Sequence, residues 1–204
     1  MSHQRPHALL ERASAHGIAL VVVLVLLTVI SLVSGATLRA SLSAEQITLN
    51  VRLENLAREA AHIGLRHCED ALLQITPAFT VHPAPLPSEV ARWTLWSSWH
   101  GSHVLAHTVP VAAMSSTDSA YVPASRPQCL LEIHPAHPEL ITVTARGFSP
   151  DHQADSAGRT TQGATAWVQS TVHRCLPGGA GCPTATSPQL GSRVWRALLN
   201  PPTP

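Results

Sequence analysis

Hydrophobic and polar positions divide the chain into three tracts. Between Gly17 and Leu38 no residue carries a charge, and residues 18–33 are aliphatic except for Thr28 and Ser31. As a helix, the 21 residues from 18 to 38 would rise about 31 Å, the thickness of a bilayer's hydrocarbon core. Beyond Leu42 the pattern turns amphipathic. Leu42, Leu49, Leu53, Leu56, Ala60 and Ile63 recur mostly at steps of three, four or seven, and Leu65, Cys68, Leu72 and Ile75 continue the stripe. Glu45, Gln46, Arg52, Glu54, Arg58, Glu59 and Arg66 lie mostly off it. No proline interrupts residues 18–76, so the spacing predicts one helix of about 59 residues, roughly 88 Å long.

The third tract begins abruptly. Residues 76–87 hold four prolines and predict an irregular or extended connection. Further on, Ile141, Val143 and Ala145 alternate with Thr142, Thr144 and Arg146. Ala166, Val168, Ser170 and Val172 alternate with Trp167, Gln169, Thr171 and His173. Both runs predict half-buried strands, and the Asp-, Gly-, Ser- and Pro-rich residues 149–163 predict a long hairpin loop between them. Residues 129–133 are a third strand candidate, with residues 93–99 or 104–111 as a fourth. The expected fold class is α+β, a long N-terminal helix packed on a small antiparallel sheet.

Composition narrows the function. Among 204 residues, 13 basic side chains, all arginine, face 12 acids, a formal net charge of +1. That balance argues against a nucleic-acid partner, which needs a concentrated basic surface. Arg5 and Arg12 precede the apolar tract against Glu11 alone, which puts the N-terminus in the cytoplasm and the chain after Arg39 across the membrane. A cleaved secretory signal, ending at Ser34-Gly35-Ala36, would have an apolar run at or beyond the usual length. A permanent signal anchor needs no further motif. The third reading is a short basic leader ending in Gly17, with the apolar helix beginning at Ile18. A cleaved signal has no reason to run unbroken into a long amphipathic helix, so the leader reading is favoured.

At this point the sequence resembles the PilX-type minor pilins of bacterial type IV pili. The matching residues are Gly17-Ile-Ala-Leu-Val-Val-Val-Leu-Val-Leu-Leu27 and Leu38-Arg39-Ala-Ser41, then Asn50, Arg52, Asn55-Leu56-Ala57 and Ala60-Ala61. In the head they are Pro127-Gln-Cys-Leu-Leu-Glu132, Ile141-Thr-Val-Thr-Ala-Arg-Gly147 and Val168-Gln-Ser-Thr171. His62 departs from the family's acid after the paired alanines, and residues 79–125 match nothing. The resemblance implies a prepilin leader over residues 1–17, a transmembrane and filament-core helix over 18–38, its amphipathic continuation over 39–76 and a globular head over 77–204. It implies cleavage between Gly17 and Ile18 and methylation of the new N-terminal Ile18. Its implied partners are a prepilin peptidase, other minor and major pilins, and inner-membrane lipids. Localisation is then the inner membrane, single-pass with the head outside the cytoplasm, and afterwards the pilus surface. The implied function is pilus assembly in a priming or tip complex, extending to adhesion or motility. Pilins usually place glutamate at the fifth residue after cleavage, and here that residue is Val22. A signal-anchored periplasmic binding or sensor domain is the alternative. A secreted metal-binding protein or hydrolase built on the histidines is a more distant one.

Cys68, Cys129, Cys175 and Cys182 all fall outside the cytoplasm in this topology, where disulfides persist. Three pairings are open. The Gly-rich turn favours a local Cys175–Cys182 bridge, leaving Cys68 on the helix for Cys129 on a strand. Zinc is the rival, but paired C-x2–4-C spacing is absent. His100, His103 and His107 cluster within eight residues without an acid among them, and Trp93, Trp96 and Trp99 recur at steps of three. Both sets read as surface or packing residues rather than ligands. No nucleotide, hydrolase or metalloprotease motif occurs, so no cofactor, no metal and no catalytic residue is expected. The protein reads as a structural and interaction subunit, not an enzyme.

Overall fold

The computed structural model describes residues 15–204 apart from 87, 115–122, 180, 181 and 183. Most of the expected leader, with Arg5, Glu11 and Arg12, lies outside the described residues. Helix α1 (Ala15–Ala71) runs 57 residues and contains both Gly17 and Ile18. It stops five residues short of the expected Thr76, in a turn where Leu72, Leu73 and Gln74 donate their N–H groups to carbonyls three residues back. The chain divides into two compact units, residues 1–49 and 50–204. The division falls inside α1, where the sequence suggested boundaries near 38 and 76. The second unit takes in the helix from Asn50 onward, and the first helix residue buried in it is Ala57.

In the second unit, β1 (Val81–His82), β2 (His107–Thr108), β3 (Gln128–His134), β4 (His137–Phe148), β7 (Thr165–Cys175) and β8 (Gln189–Ala197) form one sheet. Its order is β1-β3-β4-β7-β8, and β2 also pairs with β3. Strands β3, β4, β7 and β8 are an antiparallel meander, while β1 joins β3 in parallel. The long hairpin loop between β4 and β7 carries its own two short strands, β5 (Gln153–Ala154) and β6 (Thr160–Gln162). The two alternating runs form β4 and β7 and the third candidate forms β3, each longer than the pattern alone suggested. Residues 93–99 are not a strand: Arg92–Thr94 and Trp96–Ser98 are 3-10 turns. Their near-threefold period lets tryptophans at steps of three share a ridge. Of residues 104–111, only β2 is extended.

Two cores flank the sheet. On one face Cys129, Leu131, Ile141, Val143, Ala145, Val168 and Val172 pack against Ala61, Leu65, Cys68 and Leu72 of α1. On the other, Leu130 and Trp167 meet Trp99 and Ala106, with Trp93 and Trp96 against them. The sheet is therefore covered on both sides, which alternation alone did not predict for Trp167. This is an α+β arrangement of one long apolar helix and a mainly antiparallel sheet.

Candidate functional site

In the first unit, every described side chain from Ile18 to Leu49 is exposed. Ile18 is 66% exposed, Val22 50% and Leu32 74%, so an apolar stretch of membrane length lies uncovered. The helix is long and apolar enough to cross a membrane. Its hydroxyls suit an apolar medium, where unpaired polar groups are costly. Thr28, Ser31 and Thr37 donate to the carbonyls of Val25, Leu27 and Ser34 at 2.8, 2.7 and 2.9 Å. No carboxylate occurs among the described residues until Glu45.

The second unit seats the rest of the helix through small residues. Ala57 and Ala61 are fully buried, and their backbone lies against Gly147 of β4. A Cβ added at Gly147 would stand 2.0 Å from the Ala61 nitrogen and 2.4 Å from the Ala57 oxygen. Only glycine fits there, as an isolated glycine in a strand pattern often signals. Of the larger members of the expected stripe, Leu65 and Leu72 are buried with Ala57 and Ala61, whereas Leu56 is 39% exposed, Ile63 40% and Ile75 76%. Glu69 is 3% exposed. It accepts from Ser170 Oγ at 2.5 Å and Arg193 Nη1 at 2.8 Å, tying the helix to β7 and β8. Arg174 of β7 donates to the carbonyls of Leu72, Gln74 and Ile75 beyond the helix end. That satisfies carbonyls of the turn that follows the helix, and burial lowers the Arg174 pKa. Cys68 is bonded to Cys129, a covalent staple from helix to β3, and Cys175 to Cys182. Sequence reasoning missed Gly147, Glu69 and Arg174; only Gly147 carried a local signal.

The sheet's outer face is organised by Arg146, 6% exposed. Its guanidinium lies 5.1–5.7 Å from the ring centres of Trp96, Trp99, Phe148 and Trp167. It donates to Gln128 Oε1 and to the Trp99 carbonyl, each at 2.6 Å. Burial lowers its pKa to about 10, so it stays charged at neutral pH. The three clustered histidines do not converge. His100 stands 3.2 Å from the Ser156 carbonyl oxygen, His103 is exposed, and His107 stacks on Phe79 with ring centres 3.7 Å apart.

One serine and one histidine do meet. Ser125 Oγ is 2.8 Å from His152 Nδ1, and His152 Nε2 is 3.2 Å from Thr160 Oγ1. The neighbouring Asp151 instead accepts from Ser149 at 2.7 Å, so among the described residues no carboxylate orients the imidazole as nucleophile activation needs. Burial and then Arg146 lower the His152 pKa, Asp151 opposing them. The arrangement braces the hairpin loop. The features that set this molecule apart are thus an uncovered apolar helix and a head that grips its continuation.

Residues 16–66, a quarter of the chain, match the family model described as PilX N-terminal. Neither a curated protein nor a solved structure matches.

Proposed function

We propose, from the match of residues 16–66 to the PilX N-terminal family model, that the chain is a PilX-type pilin and a minor subunit of a type IV pilus, acting in a priming or tip complex. In this reading a prepilin peptidase removes residues 1–17, and the new N-terminal Ile18 is methylated. Residues 18–38 hold the subunit in the inner membrane, with the head outside the cytoplasm, and later pack against other pilins. The observation that carries the proposal is the uncovered apolar helix inside the family match. Leu42, Leu49, Leu56 and Ile63, at steps of seven, remain exposed and offer an apolar seam to neighbouring helices.

Val22 supports the tip assignment. A glutamate there would offer a carboxylate to a neighbouring subunit's N-terminal amine, and an unmatched charge in an apolar filament core is costly. A subunit with valine suits a place where no neighbour's amine needs a partner. Immunogold labelling of sheared pili tests this: the protein is expected to be scarce and confined to filament ends. Even labelling along the shaft would refute the tip role. A chain absent from pili, whose deletion leaves piliation unchanged, would favour a signal-anchored periplasmic sensor or binding domain instead.

A further inference from the structure

The head contains a cluster that the pilus reading leaves unused. His173 and Cys175 are two residues apart on β7, and strand periodicity puts both on one face. After Cys175 the chain turns through Gly178, whose φ of +70° suits glycine. The Gly179 and Cys182 N–H groups donate to the Leu176 and Gly179 carbonyls at 2.9 and 3.1 Å. That turn returns Cys182 to Cys175. His173 Nδ1 lies 3.3 Å from Cys175 Sγ, and the three potential ligand atoms all fall within 4.8 Å of one another. All three residues, with Glu139, line a cavity of about 490 Å³. On β8, Gly191 leaves room for the imidazole, since a Cβ there would stand 3.2 Å from His173 Nδ1.

We propose that this cluster is a redox-gated cation site: a disulfide when oxidised and, once reduced, a His173/Cys175/Cys182 site for zinc(II). Two thiolates and an imidazole are a ligand set zinc favours, and a tetrahedral centre would leave its fourth position for Glu139 across the cavity. A dithiol reductant gives two electrons and two protons to the Cys175–Cys182 bond and becomes a disulfide itself. Zinc binding then displaces the two thiol protons to solvent. A histidine beside a disulfide needs no such position; a histidine that completes a three-ligand set does.

Cobalt(II) titration of the reduced, anaerobic full-length protein in detergent is the test. One cobalt per chain, with sulfur-to-cobalt charge-transfer and tetrahedral visible bands, displaced by zinc, is expected. The oxidised protein and the Cys175→Ser/Cys182→Ser variant should show neither band. His173→Ala should weaken zinc in competition by at least the roughly tenfold that even an outer-shell partner costs. Zinc should also shield Cys175 and Cys182, but not Cys68 and Cys129, from alkylation in the unmutated protein. Absence of the charge-transfer band, its survival in the double serine variant, or an unaltered His173→Ala midpoint would overturn the proposal.

Discussion

Gly147 is where a single atom matters most. Alanine there would drive a methyl into the backbone of Ala57 and Ala61, and neither helix nor strand can shift alone. Gly147→Ala should destabilise the protein by about 3 kcal/mol, at the upper end of overpacking costs, read as a lower denaturation midpoint of the full-length chain in detergent. His107 and His152 each contribute to acid sensitivity. Burial, helped at His107 by the nearby His67, lowers both pKa values below the ordinary imidazole range. The unfolded chain therefore takes up these protons first. Stability is full above pH ~6.5 and falls as pH drops from there through the folded-state values. His107 Nε2 is buried without a hydrogen-bond partner among the described residues, and the ring stacks on Phe79. His107→Phe should accordingly flatten the acid limb of a stability–pH profile, leaving the His152 part. An unchanged slope would show that His107 is not a source of the acid loss.

Elements differed in how much of their structure the sequence declared. β4 and β7 were legible because burial writes alternation into a strand, and β3 as a short run of residues buried on both faces. β8 was not anticipated. Val194 is 72% exposed and Trp195 57% exposed, and a strand wet on both faces has no burial to pattern. The helix was legible as a helix but only in part in its facing. Leu65, Cys68 and Leu72 of the expected stripe are buried, but periodicity weights large apolar residues, whereas at Gly147 the sheet selected Ala57 and Ala61 so that backbones could approach. Leu56 and Ile63 were left outside. The Cys68–Cys129 staple closes a separation of 61 residues, worth about 4 kcal/mol by chain entropy, against about 2.5 kcal/mol for Cys175–Cys182. Cys68→Ala/Cys129→Ala should therefore lower stability more than Cys175→Ala/Cys182→Ala. A reversed order in paired denaturation curves would contradict that ranking.

At the scale of the whole molecule, one helix serves two environments. Its first part is uncharged between Gly17 and Leu38 and exposed wherever its side chains are described; its second is held by a staple, a buried glutamate and an arginine beyond its end. Val22 connects this layout to the proposed filament position. Val22→Glu should let the subunit enter the shaft more freely, since it could then pair with a neighbour's amine. It should cost at most about 2–3 kcal/mol of membrane insertion, and less because Val22 is near the start of the span. Immunogold counts along pili would register the shift from ends to shaft, and an unchanged distribution would remove Val22 from the account. The pilin assignment itself is tested most directly by N-terminal sequencing and intact mass of the protein recovered from cells. The account predicts a chain that begins at Ile18 and carries one methyl group on its amine. A chain beginning at Met1, Ser2 or Thr37 would contradict it.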